Sequence, residues 1–145
     1  DNTGAVKATP LEVQQDIMKM FWTLQNRNQG LVDSDTAMTL VMSPQSAVAL
    51  GINNEYGNSV RFYLKETYPN LKIVTVPEYA TAAGQKVQLI ADNIEGQKTM
   101  ECKFTEKMRA HPIVTELSSF KQKKSAGTWG TVIFRPSFVV GMLGV

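Results

Sequence analysis

Cysteine and histidine are almost missing from this sequence: Cys102 and His111 stand alone among 145 residues. A single cysteine excludes an intrachain disulfide and any multi-cysteine metal cage. With only one histidine beside it, the usual zinc and iron ligand sets are out of reach. Reducing surroundings fit this usage, since disulfides belong to oxidising compartments. Long apolar runs are lacking too. The longest, Phe138 to Val145, falls far short of the ~20 residues that span a bilayer, so no membrane insertion is expected. The chain starts at Asp1 rather than Met and shows no charged-then-apolar signal segment, so it is expected to be a piece of a longer polypeptide. An excess of one charge is also missing. Lys and Arg number 15 and Asp and Glu 13, a net charge of +2, too small to argue for nucleic-acid binding.

What is present is a globular composition, 43% apolar and 19% charged. The length fits one domain, or one domain with an extension, since domains commonly hold about 100–150 residues. Folding at this size removes roughly 68–70% of the unfolded surface from water, enough for a real core.

Residues 1–8 read as a loose leader. Thr9-Pro10-Leu11-Glu12 then reads as a helix start, with Thr9 as cap, proline at the first helical position and Glu12 closing a capping box. Val13, Ile17, Met20, Phe21 and Leu24 form one apolar stripe, and Gly30 is the expected stop. Thr39 to Met42 suits a buried strand. Ser43-Pro44 ends it and caps a short helix, Gln45 to Leu50, closed by Gly51. A third helix is expected from about Asn58-Ser59, with Val60, Tyr63 and Leu64 turned inward, ending before Pro69.

From Leu71 the pattern turns to strands. Leu71 to Val76 is β-branched and halted by Pro77. Val87 and Leu89 alternate with polar neighbours, and Asp92-Asn93 with Gly96 marks a turn. Met100, Cys102 and Phe104 alternate with Thr99, Glu101 and Lys103, the period of a half-buried strand. Val114 to Leu117, a polar loop from Lys121 to Gly127, an apolar strand from Trp129 to Phe134 and an apolar tail after Arg135-Pro136 complete the chain. Helices mixed with strands first, then strands mainly, predict an α+β fold: a central mixed sheet flanked by helices with an added strand-rich segment.

Catalytic chemistry finds little to stand on. A serine or cysteine nucleophile could use only His111 as base, and His111 before Pro112 reads as an exposed bend. Cys102 falls on the apolar face of its strand and reads as a small buried hydrophobe. The glycines around Trp129 and Leu143 lack the spacing that cradles phosphates. Asp33 and Asp35 read as a capped turn rather than a cation site. Lys121, Lys123 and Lys124 form the one basic cluster. A solvated loop is its default reading, and a phosphate or nucleic-acid contact the sharper one. The seven methionines read mainly as core filling. The expectation is a protein that is not an enzyme and has no catalytic, cofactor or metal residues.

Two stretches carry a resemblance. Thr39-Leu40-Val41-Met42-Ser43-Pro44-Gln45-Ser46-Ala47-Val48-Ala49-Leu50 resembles the strand, Ser-Pro break and short helix in the axial domain of tailed-bacteriophage major capsid proteins of the Hong Kong 97 type. The ending is similar to the C-terminus of a prophage-encoded branch of that family: Glu116 to Phe120, Gly127-Thr128-Trp129-Gly130, Arg135-Pro136 and Gly141 to Val145. The resemblance covers about residues 36–145 and loosely reaches Pro10. It implies a structural subunit of an icosahedral head, self-assembling into pentamers and hexamers around double-stranded DNA. Its partners would be copies of itself, with scaffold or head-maturation proteins, and its location the virion, assembled in the bacterial cytoplasm. It divides the chain into the leader at 1–8, an axial-like domain at 9–97, and a return segment with tail at 98–145. The N-terminal arm, extended loop and spine helix of the family find no counterpart, so by this reading they precede Asp1. Without the spine helix, the late strands would expose an apolar face or cover it by dimerising. By analogy the polar loops bearing Asn53, Asn54, Tyr56, Asn58, Tyr79 and Gln85 would meet neighbouring subunits. The competing reading is a nonviral binding or scaffold module that holds phosphate or nucleic acid weakly through Lys121, Lys123 and Lys124.

Overall fold

The computed structural model describes residues 9–53 and 57–144. In chain order its elements are α1 (Pro10–Arg27), β1 (Met38–Met42), α2 (Pro44–Ala49), α3 (Val60–Thr67), β2 (Leu71–Thr75), a 3-10 turn (Pro77–Tyr79), β3 (Ala80–Thr81), β4 (Gly84–Ala91), β5 (Asn93–Ile94) and β6 (Gln97–Lys98). They continue with β7 (Met100–Ala110), β8 (Val114–Thr115), β9 (Phe120–Lys121), β10 (Lys124–Ile133), a second 3-10 turn (Pro136–Phe138) and β11 (Val139–Leu143). The chain divides into two units: residues 100–134, and the rest of the chain before and after them.

The larger unit is built on a five-stranded mixed sheet in the order β11-β4-β1-β2, with β3 hairpinned onto β4. β1 runs parallel to β2 and antiparallel to β4, and β11 runs antiparallel to β4. Register decides which side chains share a face. Met38, Leu40 and Met42 stand opposite Ala91, Leu89 and Val87, and all six are buried. On the other edge of β4, Val140 stands opposite Leu89 and Met142 opposite Val87, so β11 extends the same apolar face.

Helix α1 covers that face. The expected capping box forms: Glu12 N–H donates to Thr9 Oγ1 at 3.3 Å and Thr9 N–H to Glu12 Oε2 at 2.8 Å. Ile17, Met20, Phe21 and Leu24 are buried as the stripe predicts, each large side chain contributing roughly 1.5–3 kcal/mol. The helix stops where Gln29 and Gly30 take positive φ, 51° and 82°. Asn28, itself buried, fastens that end by donating to the Leu24 carbonyl at 2.8 Å and the Ser137 carbonyl at 3.1 Å. Val60 and Leu64 anchor α3 in the same core, and the Phe21 and Tyr68 rings stack at 3.9 Å, 8° from parallel. Desolvation in that stack raises the Tyr68 phenol above its ordinary value.

Short-range signals act as read. Ser43 Oγ accepts from Ser46 N–H at 3.1 Å at the start of α2, Ser59 Oγ from Phe62 N–H at 3.3 Å at the start of α3. Asp33 closes a turn with Thr36 rather than pairing with Asp35 as a cation site. Gly84, at φ 118°, lies so close to Gly144 that a Cβ would sit 2.7 Å from its Cα, so only glycine lets the end of β11 reach the hairpin.

Residues 100–134 form a long antiparallel ribbon of β7 and β10, with the small β8–β9 hairpin beyond it. The pairing carries register shifts between Ser125 and Gly127, Gly127 and Thr128, and Thr128 and Gly130. Such bulges bend and twist a ribbon.

Three expectations are corrected here. The apolar tail does not stay with the strand-rich segment. It returns as β11 to the sheet of the larger unit, because Val140 and Met142 complete the buried face under α1. The polar stretch from Lys121 to Gly127 is mostly strand, since β10 begins at Lys124. Cys102 is exposed, not buried. Its strand alternates in sequence, but a two-stranded ribbon offers no second layer to cover either face.

Candidate assembly surfaces

The axial-loop residues expected at subunit contacts prove to be partly tied into the sheet. Tyr79 ends the first 3-10 turn, donates from its hydroxyl to Gln88 Oε1 at 2.7 Å, and has Lys86 Nζ 5.0 Å from its ring centre. Gln85 lies in β4. Its Nε2 donates to Gln45 Oε1 at 2.9 Å and its carbonyl accepts from Gly144 N–H at 3.0 Å, while its Oε1 is buried without a partner. The structure thus brings Tyr79, Gln85, Gln45 and Gln88 to one end of the sheet. Asn53 is exposed and bridges to Ser59. Asn58 lines a shallow cleft of about 60 Å³ with Pro10, Leu11, Gln14, Val60 and Tyr63. Asn54 and Tyr56 lie outside the described residues.

The three lysines flank the neck of the small hairpin. Lys121 is on β9, where its Nζ pairs with Glu116 Oε1 at 2.7 Å; Lys124 opens β10; both are exposed, as is Lys123. The hairpin is held by polar bonds. Glu116 N–H donates to the Ser119 carbonyl at 2.7 Å, Ser119 Oγ to Glu116 Oε2 at 3.2 Å, and His111 N–H to the Lys123 carbonyl at 2.9 Å. This fastening presents Leu117, wholly exposed, with Ile113, Val114 and Phe120 around it.

His111 is not a free bend. Its ring is half-buried, with Nε2 3.0 Å from Ser125 Oγ, and Ser125 Oγ donates to Glu106 Oε2 at 3.1 Å. A hydroxyl has one proton, and here it goes to the carboxylate, so the ring nitrogen must be the donor to Ser125. That is the reverse of nucleophile activation, in which histidine takes the serine proton and an acid holds its other nitrogen. The arrangement clamps the two ribbon strands together and has no hydrolase geometry. Among the described residues no group of three or more His, Cys, Asp and Glu is placed to hold a metal ion, and no helix is long and apolar enough to cross a membrane.

What stands out is apolar surface in water. On the ribbon, Phe104 is 58% exposed and Trp129 76%, and Met108, Ile133 and Phe134 are exposed as well. In the single chain these side chains stand exposed, where an uncovered late segment is expected either to expose an apolar face or to cover it by dimerising. A second group lies on the outer side of α1, where Leu11, Met18 and Trp22, the last 64% exposed, form their own row. Sequence reasoning missed that row, whose only signal is the spacing i, i+7 and i+11 on the side of the helix away from the buried stripe.

The comparisons bear on these surfaces. The family model described as Pa193 gp26 major capsid protein matches residues 2–144. No curated protein matches. The structure is similar to the capsid of Myoviridae phage XM1, with a TM-score of 0.80 at 12% identity over 96% of this chain and 48% of that one. It is also similar to a virus-like particle from Pyrococcus furiosus, with a TM-score of 0.64 at 18% identity over 95% of this chain and 53% of that one. The chain thus spans about half the length of these two, and the likeness gives the fold: a mixed α+β phage-capsid fold. With a match over nearly its whole length, the chain belongs to the Pa193 gp26 major capsid protein family.

Proposed function

We propose that this chain is the axial half of a head subunit that assembles with copies of itself into pentamers and hexamers of an icosahedral shell around double-stranded DNA. The observation that carries the reading is the ribbon of residues 100–134, whose large apolar side chains stand in water on two strands with no layer over them. An isolated two-stranded ribbon is marginal by itself, so it is stable only with a cover supplied by the rest of a subunit or by a neighbour. Family membership supports the same reading, and the half-length match to the phage XM1 chain supports a parent polypeptide of about twice this size. Assembly of this kind needs complementary surfaces repeated by symmetry, with no chemistry at any one point. Interfaces of roughly 1,200–2,000 Å² each then add up to a durable particle.

Contacts to the packaged DNA would be nonspecific, and the exposed Lys121, Lys123 and Lys124 are the candidate phosphate contacts. Scaffold or head-maturation proteins are further proposed partners, and the virion, assembled in the bacterial cytoplasm, the proposed location. The test is negative-stain electron microscopy of the intact parent polypeptide, expressed alone and with its neighbouring gene products. Closed shells or sheets of five- and six-membered rings are expected. Dispersed small particles in both preparations would overturn the reading.

A further inference from the structure

Helix α1 carries two apolar faces. One is the buried stripe; the other lies roughly 135° round the axis, where Leu11, Met18 and Trp22 stand in water. Gln15 and Gln25 fall in the same strip, so Leu11, Gln15, Met18, Trp22 and Gln25 follow one another at steps of four, three, four and three. That is the spacing of a seam between two helices packed side by side, crossing at about 20°. No charged residue of the helix falls within the strip. Glu12, Asp16, Lys19 and Arg27 all lie to one side of it, with Lys19 and Glu12 nearest, roughly 80° and 100° round from its middle. On the other side, Leu11 and Gln14 border the shallow cleft that they share with Val60 and Tyr63.

We propose that α1 of a second copy occupies this strip, antiparallel, about a two-fold axis level with the peptide between Asp16 and Ile17. The strip is complementary to itself in that register. Trp22 of each copy stands opposite Leu11 of the other, beside the cleft at Gln14, and Met18 stands opposite Gln15. On the outward flank Lys19 of each copy meets Glu12 of the other, about 3 Å apart along the axis and within reach of a lysine side chain. The capping box uses Oε2 of that carboxylate, which leaves Oε1 to accept from the ammonium. Parallel pairing would bring Lys19 to Gln14 and give it no acid. A contact in which residue i meets j and j meets i is isologous and closes on itself as a dimer. It takes two indoles out of water, and tryptophan is among the residue types most enriched at the centre of interfaces. About three turns of helix make a contact smaller than the roughly 1,000 Å² of a stable interface, so the pairing is weak and belongs at high concentration. It goes beyond the self-assembly reading, and either can fail alone.

The test is sedimentation of the chain over a concentration series, with Trp129→Phe leaving Trp22 as the one indole. Mass is expected to rise from one chain toward two, with Trp22 emission shifting to the blue in step and reversing on dilution. Trp22→Ala is expected to weaken pairing about tenfold or more. Lys19→Glu, which sets carboxylate against carboxylate at both ends, is expected to weaken it about fivefold. Adding Glu12→Gln, which keeps the capping box, is expected to restore most of that loss. Disulfides test the direction in a Cys102→Ser background. Leu11→Cys and Trp22→Cys chains are expected to cross-link when mixed and not when separate. All these side chains are exposed, so an unchanged unfolding midpoint checks that each variant is folded. Mass that stays at one chain, or emission independent of concentration, would overturn the contact. So would a Lys19→Glu chain that pairs as well as the unaltered one, or a double variant no better than Lys19→Glu. Leu11→Cys and Trp22→Cys chains that each link to their own kind would replace the antiparallel contact with a parallel one and so overturn it too.

Discussion

The sheet unit and the ribbon use the same kinds of residue to opposite ends. In the sheet unit, alternating apolar residues of β1 and β4 meet α1 across one face, so Leu40, Leu89 and Leu24 are fully shielded from water. In the ribbon, Met100, Cys102 and Phe104 alternate as regularly, yet Phe104 and Cys102 lie in water. The difference is the presence of a second layer. Alternation marks which face could be buried; only a packed partner buries it.

The contrast is broken most severely in the core. Phe21→Ala removes a ring stacked on Tyr68 and buried to 1% exposure, and is expected to cost about 3–5 kcal/mol in urea unfolding. Leu40→Ala is expected to cost about 2–5 kcal/mol by the same measurement. Ser43→Ala, at the buried cap of α2, is expected to cost about 1 kcal/mol, read as a lower thermal midpoint.

A gentler probe is alkali. Burial raises the Tyr68 phenol above its ordinary value of 10.0 in the folded chain. The neutral form is favoured by folding, so this contribution is whole below pH 10.0 and is lost as pH rises through the higher folded-state value. Stability measured from pH 9 upward should fall, and Tyr68→Phe should flatten that fall. The smallest effect should come from the ribbon: Phe104→Ser is expected to change the stability of the chain by no more than about 0.5 kcal/mol. A cost comparable to Leu40→Ala would show that the ribbon is covered within the chain itself, and would erase the contrast between the two units.

Much of the sheet unit was legible because its signals are local. The capping box at Thr9 and Glu12, the stripe from Ile17 to Leu24, and the Ser43-Pro44 break each depend on residues within one or two turns of one another, and each sits where its chemistry places it. The assembly surfaces were less legible. The outer row of α1 is a pattern of three residues that gains meaning only when the opposite stripe is known to be buried. The link from His111 through Ser125 to Glu106 joins residues 14 and 19 positions apart, and strand pairing alone brings them together.

By itself, then, the sequence determined the helix starts and stops, the strand periodicity, the α+β class and the absence of cysteine- or histidine-rich chemistry. It also carried, in the stretch from Thr39 to Leu50 and in the C-terminal motifs, the resemblance to a capsid subunit. Only the tertiary structure decided that Val139 to Leu143 returns beside β4, that Cys102 faces water, and that apolar side chains of the ribbon and of the outer side of α1 are left exposed. The physical reason is range: caps and periods are set by neighbours along the chain, whereas burial is set by whichever distant segment arrives to exclude water.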